Sequence, residues 1–74
     1  MKITLEQFIV FEKRYLFAAI KNPDFRLGQA FIDEHRDIGN SIMGDEKGIF
    51  KINRLWLAKS RDEVLELLDG YIIK

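Results

Sequence analysis

Apolar residues in the first third of the chain recur at intervals of three and four, the spacing that places side chains on one face of an α-helix. Thr4 and Gln7 stand at the start with the spacing of a capping box, and the Asn22-Pro23 pair stands at the end, where proline disfavours helical angles in the preceding residue. The pattern therefore predicts a first helix over residues 4–21. Its apolar arc spans roughly 200°, which is wider than one partner helix can cover, so we expect this helix to be central.

A second helix is predicted over residues 23–37. Asn22 is a favourable N-cap and Pro23 suits the first helical position, while Gly39 provides a typical stop. Gly28 lies near the middle of the apolar face, where the missing side chain would let another helix approach closely. We interpret Gly28 as a helix-crossing point.

A third helix is predicted over residues 61–69, because Ser60 and Glu63 have the spacing of a second capping box ahead of a regular apolar stripe. Between the second and third helices, residues 38–54 contain glycines and a polar turn but no clean periodicity. We expect a short irregular or β-hairpin-like insert there. Gly70 interrupts the third helix, so residues 71–74 are expected to pack as an extended tail.

These elements predict a mainly α fold, with three helices forming a single small domain over residues 1–74. A chain of 74 residues lies near the lower size limit at which a core is stable without disulfides, metal or oligomerisation. The positions that we expect in the core are Phe8, Leu16, Ile20, Leu27, Phe31, Trp56, Val64, Leu65 and Leu68.

The charge balance narrows the classes of partner. Twelve basic and twelve acidic side chains cancel, which argues against a generic nucleic-acid binder and against an acidic DNA mimic. The balance favours a homo-oligomer or a protein partner. The chain has no cysteine, no long apolar run and no basic-then-apolar N-terminal layout, so we expect a cytoplasmic protein without a membrane segment.

No catalytic motif is recognisable in the sequence. No serine, cysteine or lysine nucleophile stands beside a base in a known motif, and no glycine pattern resembles a phosphate-binding loop, so neither an enzyme nor a cofactor is expected. The acidic residues around His35 are of metal-ligand types, but on a helix His35 points away from Asp33 and Asp37. We therefore expect no metal site.

Val10 and Phe17 are apolar exceptions on the polar side of the first helix. They are seven residues apart and share that side with charged residues, Arg14 among them. We interpret Val10, Arg14 and Phe17 as a candidate surface for a second copy of the chain or for another protein. The alternative is that scattered surface apolar residues have no role, and the sequence does not decide between the two.

Glu12 falls near the centre of the apolar arc of the first helix, where an unpaired carboxylate is costly. His35 falls near the centre of the apolar face of the second helix. If the two helices form an antiparallel hairpin at Asn22, both residues lie at similar distances from the turn. We therefore hypothesise a buried Glu12–His35 hydrogen bond. Such a pair more often fixes helix register than serves as a pH-sensitive switch or an acid–base couple.

A short segment from Lys47 to Arg61 contains five positive charges interleaved with Phe50 and Trp56. This arrangement suits single-stranded nucleic acid or a nucleotide. Acidic residues flank the segment, and they favour the alternative that the charges are solvated while the aromatic residues belong to the core. The candidate contacts with an anion or nucleic acid are Lys47, Lys51, Arg54, Lys59 and Arg61.

The run N-P-D-F-R-L-G-Q-A-F from Asn22 to Phe31, with a looser echo over residues 55–68, resembles small uncharacterised helical proteins of bacteriophages and their hosts. The longer segment over residues 38–54 departs from their pattern, and the resemblance implies no functional residue. It implies a setting in which compact proteins bind host proteins, including defence components, and redirect or inhibit them. We thus expect a non-enzymatic protein-interaction module, with a nucleic-acid or nucleotide-binding accessory protein as the alternative.

Overall fold

The computed structural model describes residues 2–73, which form five helices and two short strands. In chain order these are β1 (Ile3–Thr4), α1 (Leu5–Lys21), α2 (Leu27–Glu34), α3 (Arg36–Met43), α4 (Gly48–Leu57), α5 (Arg61–Leu67) and β2 (Ile72–Ile73). The mainly α class is confirmed. The prediction of three helices is wrong, because the chain between the second and third predicted helices is itself helical.

The first helix begins where its capping box predicts. The Thr4 hydroxyl accepts a hydrogen bond from the Gln7 backbone N–H at 3.1 Å, and the Gln7 side-chain oxygen accepts one from the Thr4 backbone N–H at 2.8 Å. These two bonds satisfy N–H groups that a helix start otherwise leaves unpaired. The helix then continues to Lys21, as expected.

The second helix begins later and ends earlier than predicted. The backbone N–H of Asn22 donates to the carbonyl of Ala18, so Asn22 ends α1 and does not cap α2. A turn follows, closed by a hydrogen bond from the Phe25 N–H to the Asn22 carbonyl, and Arg26 becomes the N-cap. At the other end His35 leaves helical angles, with φ −117° and ψ 62°, and separates α2 from α3.

The predicted irregular or hairpin-like insert is a pair of helices, α3 and α4. Ile38 and Ile42 are four residues apart and buried, while Ile52 and Leu55 are three apart and face the core. This helical spacing overrides the glycines in the segment. The two helices meet tightly, since a Cβ added at Gly48 would lie 1.9 Å from the Ile42 carbonyl oxygen.

The helices share one apolar core, which five of the nine predicted positions enter. The prediction is wrong for Leu16 and Ile20, which are exposed. It is right in part for Leu65, which is half-buried and packs against the core, and for Trp56, which is half-buried. The buried apolar side chains are Phe8, Phe11, Leu27, Ala30, Phe31, Ile38, Ile42, Leu55, Ala58, Val64, Leu67 and Leu68.

Three phenylalanine rings join α1 to α2 inside this core. The ring centroids of Phe8, Phe11 and Phe31 lie 5.5–5.9 Å apart in tilted and edge-on arrangements, which are the favourable ones for aromatic pairs. The His35 ring continues the cluster, 4.5 Å from that of Phe31. The core contacts of α1 therefore concentrate in its first half.

Gly28 is a helix-crossing point, as predicted. A Cβ added there would lie 1.6 Å from the Leu55 carbonyl oxygen of α4, and the Gly28 N–H donates to the Ala58 carbonyl at 3.0 Å. Only glycine permits this approach of α2 to the end of α4.

The two ends of the described chain pair with each other. β1 and β2 are parallel neighbours, with Ile3 opposite Ile72 and Thr4 opposite Ile73. The hydroxyl of Tyr71, just before β2, lies 3.1 Å from that of Ser41 in α3. The predicted extended tail is confirmed for Ile72 and Ile73, while Lys74 lies outside the described residues.

Candidate interaction surfaces

The second half of α1 lies largely outside the core. Its buried residues are Phe8, Phe11 and Glu12, all in the first half of the helix. From residue 13 to residue 21 only Tyr15 and Ala19 are even partly buried. The turn that follows Lys21 and the short α2 leave the outer side of this half without a neighbouring element. The other side of this half is covered in part, since Tyr15 packs against Phe25 and donates to its carbonyl at 2.8 Å.

Three large apolar side chains occupy this uncovered half, and we call them the α1 apolar face: Leu16, Phe17 and Ile20. They are 54%, 74% and 78% exposed. Their spacing of one and four residues places them side by side on the helix, and together with Lys13 they line a shallow depression. Single exposed apolar residues are common on proteins, but a contiguous group of three on one helix is the kind of patch that marks an interface.

The structure separates the residues of the candidate surface that the sequence suggested. Val10 and Phe17 are both exposed, but Val10 and Arg14 line a groove with His35, while Phe17 belongs to the α1 apolar face. Arg14 forms two hydrogen bonds with the Glu34 carboxylate, one of them 3.1 Å between Nη2 and Oε2. Its charge is therefore already engaged.

Leu16 and Ile20 are exposed residues of the candidate surface that sequence reasoning missed, because their place in the apolar arc predicts burial. The width of that arc did indicate that part of it stays exposed. An arc of roughly 200° exceeds what a single neighbour covers, so some of its members must face solvent or another molecule. The sequence does not say which members these are.

Glu12 pairs with Arg61, and the predicted Glu12–His35 hydrogen bond is wrong. Glu12 is 9% exposed, and its Oε1 accepts hydrogen bonds from Arg61 Nε, at 2.9 Å, and from Arg61 Nη2. The hydrogen bond and the charge of Glu12 raise the pKa of the Arg61 guanidinium above its ordinary value. A carboxylate in the apolar arc is thus paired as expected, but with a residue from the far end of the chain.

His35 packs as an aromatic ring. Its centroid lies 4.5 Å from that of Phe31 and 5.9 Å from that of Phe11. Its Nε2 is buried without a hydrogen-bond partner among residues 2–73, and the nearest carboxylate oxygen, from Glu34, is 3.5 Å away. The contacts of His35 stabilise the junction of α2 and α3.

The basic segment lies mostly on α4, and not all of its positively charged side chains are free to contact another molecule. Trp56 is half-buried, and its carbonyl accepts a hydrogen bond from Arg26 Nε at 2.9 Å. Arg61 is bound to Glu12, and Lys59 lies in the connection to α5. Four exposed residues at helical spacings of three and four remain, and we call them the α4 basic face: Lys47, Phe50, Lys51 and Arg54.

Phe50 is 72% exposed. The alternative that the aromatic residues of the basic segment belong to the core is therefore wrong for Phe50.

Within residues 2–73, no three histidine, cysteine or carboxylate side chains are grouped so that they could hold a metal ion. None of the described helices is long and apolar enough to cross a bilayer. Neither a family model, nor a curated protein, nor a solved structure matches this chain.

Proposed function

We propose that this protein is a non-enzymatic protein-interaction module that binds its partner through the α1 apolar face. The observation that supports this is the exposure of Leu16, Phe17 and Ile20, each more than half exposed on a helix whose outer side no other element of residues 2–73 covers. Such exposure favours aggregation in a free protein, and burial against a partner removes that liability.

The chemistry of the face suits recognition by a helix. Apolar side chains spaced by three and four residues anchor an amphipathic helix against its partner, and Ile20 lies three residues after Phe17 and four after Leu16. A large aromatic side chain at the centre of an interface commonly contributes most to binding. Phe17 occupies that position, between Leu16 and Ile20.

The partner that we propose is a host protein in the cytoplasm, whose activity the module redirects or inhibits. This part of the proposal follows from the resemblance of residues 22–31 to bacteriophage-type proteins. The α1 apolar face supports binding, and the resemblance supports the kind of partner.

The test compares two phenylalanines of nearly equal exposure on different helices. Phe17→Lys and Phe50→Lys introduce the same charge at side chains that are 74% and 72% exposed. Affinity capture from host lysate, with light scattering on a size-exclusion column, should give a specific complex with the wild type and with Phe50→Lys. The complex should be lost with Phe17→Lys, while circular dichroism shows that all three chains stay folded.

Loss of the complex in Phe50→Lys but not in Phe17→Lys would contradict the proposal, as would a complex that survives both changes. A homo-oligomer dissolved only by Phe17→Lys would retain the face as an interface but assign a second copy as its partner.

A second candidate function, binding of single-stranded nucleic acid or a nucleotide, is favoured by the α4 basic face. Exposed Phe50 can stack on a base while neighbouring cations contact phosphates, and base–aromatic stacking contributes about 1–3 kcal/mol. Fluorescence anisotropy with a labelled single-stranded oligonucleotide tests this. Binding should weaken with added salt and be lost in Phe50→Ala and in Lys51→Glu plus Arg54→Glu, but not in Phe17→Ala. Binding that is insensitive to these changes on α4 would exclude the α4 basic face.

A further inference from the structure

The charged side chains of the α1 segment that carries the apolar face all have one sign. Lys13 and Lys21 are exposed one helical turn before and one turn after Phe17, and residues 13–21 include no acidic side chain. The carboxylate just before this stretch, Glu12, is buried and bound to Arg61. Within residues 13–21 the exposed charges beside the apolar face, apart from the engaged Arg14, are therefore lysines.

We infer that the α1 apolar face binds an acidic amphipathic helix of the partner, with an apolar stripe against Leu16, Phe17 and Ile20 and with carboxylates opposite Lys13 and Lys21. The inference rests on the proposed function and adds the chemistry of the partner. Lys13, Phe17 and Lys21 form one row at intervals of four, beside the row of Leu16 and Ile20. Rows of this kind form the ridges and grooves into which a second helix packs.

Charge complementarity favours such a helix over a second copy of this chain. A two-fold dimer uses the same surface patch of both copies, so a residue that contacts a second residue of the other copy is contacted in turn by that copy. Antiparallel pairing of two α1 helices about Phe17 would bring Lys13 of each copy beside Lys21 of the other, with no carboxylate in the stretch to compensate. Like charges across an interface suppress pairing, whereas opposite charges steer association and set register.

The test uses two synthetic helical peptides that share a leucine stripe and differ only in their flanks, which are glutamates in one and lysines in the other. Fluorescence anisotropy should show binding of the glutamate peptide to the wild type. Lys13→Glu plus Lys21→Glu should weaken it about three- to tenfold, as expected for two exposed ion pairs, and should reverse the preference toward the lysine peptide. The matched change on α4, Lys47→Glu plus Lys51→Glu, should leave both affinities unchanged.

The outcomes that overturn the inference differ from those that overturn the proposed function. Equal binding of both peptides, lost in Phe17→Lys, would overturn the acidic partner but keep the face as an interface. Binding that Phe17→Lys does not affect would contradict both proposals. If neither peptide binds, the inference fails. Light scattering on the wild type and on Phe17→Lys then shows whether the face instead binds a second copy of the chain, in a dimer that the substitution dissolves. Binding to phosphatidylglycerol vesicles without binding to either peptide would assign the lysines and Phe17 to an anionic lipid surface and would also overturn it.

Discussion

Glu12 and Arg61, 49 residues apart in the sequence, form a charged hydrogen-bonded pair that joins the middle of α1 to the first residue of α5. The Glu12 side chain is largely buried, while the Arg61 side chain keeps about half of its surface in solvent. A buried carboxylate without a partner is costly, so the pair is required once Glu12 lies in the core.

Removing the arginine should therefore destabilise the domain. Arg61→Ala leaves the Glu12 carboxylate buried and unpaired, and we expect a measurable fall in the free energy of unfolding in urea denaturation. The matched control is Arg14→Ala, which removes an exposed arginine from Glu34 and should change stability by less than about 1 kcal/mol. Equal losses of stability in the two variants would show that the burial of Glu12 does not increase the contribution of its ion pair.

The contribution of Arg61 should not vary with pH around neutrality. Glu12 raises the pKa of Arg61, and a base whose pKa is higher in the folded state contributes stability that is lost only as the pH rises through that raised value. The difference in unfolding free energy between the wild type and Arg61→Gln should therefore be the same at about pH 7 and at about pH 9, as measured in urea. A difference that shrinks over this interval would mean that another titrating group governs the pair.

Alanine substitutions at two buried glycines should have opposite effects. In Gly28→Ala the new Cβ would lie 1.6 Å from the Leu55 carbonyl oxygen, so α2 and α4 must separate, at a cost of about 2–3 kcal/mol or more. In Gly39→Ala the new Cβ would lie 3.5 Å from a methyl carbon of Ile32, an ordinary contact, and the helix should gain about 0.5–1 kcal/mol. Thermal melting of both variants tests this. A stable Gly28→Ala would mean that the crossing of α2 and α4 is looser than the structure shows.

Alanine substitutions at a buried and at an exposed phenylalanine should differ sharply in their effect on stability. Phe31→Ala should cost about 3–5 kcal/mol, because Phe31 is fully buried against Phe8 and Phe11, and most of the chain should then be unfolded. Phe17→Ala should change stability by less than about 0.5 kcal/mol. Comparison of the two melting curves decides the matter, and a large loss in Phe17→Ala would show that the α1 apolar face is covered in the free protein.

His35→Phe should leave the domain as stable as the wild type or more stable. The buried Nε2 has no hydrogen-bond partner among the described residues, so replacing the ring by an apolar one removes an unsatisfied polar group and keeps the stacking on Phe31. His35→Ala loses the stacking and should melt at a lower temperature than either. If His35→Phe were the least stable of the three, the nitrogen would have a partner in solution that the structure does not show.

The elements predicted well are those whose cause is local. The capping residues of α1 and α5 lie within three positions of the groups that they satisfy, and Ser60 accepts from the Glu63 N–H as its spacing predicts. The crossing at Gly28 was also foreseeable, because a glycine in the middle of an apolar helix face needs a packing reason. That α4 is the element crossing there was not foreseeable, because the glycines of residues 38–54 predicted an irregular segment in spite of the helical spacing of Ile52 and Leu55.

The errors arise where distant parts of the chain compete. Asn22 can cap either the helix before it or the helix after it, and the structure uses it to end α1. The break at His35 coincides with the stacking of its ring on Phe31, a contact that does not follow from either residue type alone. The predicted antiparallel hairpin at Asn22 placed His35 opposite Glu12, whereas the fold brings Arg61 there from the start of α5.

The sequence by itself determined the helical class, the starts of the first and last helices, the close approach at Gly28 and the need for a partner at Glu12, because each depends on near neighbours or on the cost of burying one group. Only the tertiary structure decided which side of the wide apolar arc of α1 is covered. Phe8 and Phe11 are buried while Leu16 and Ile20 are exposed, although all four belong to one periodic pattern. α2 and the turn before it cover one side of α1, where Tyr15 packs against Phe25, and they leave the side of Leu16 and Ile20 exposed, because burial depends on where neighbouring elements lie.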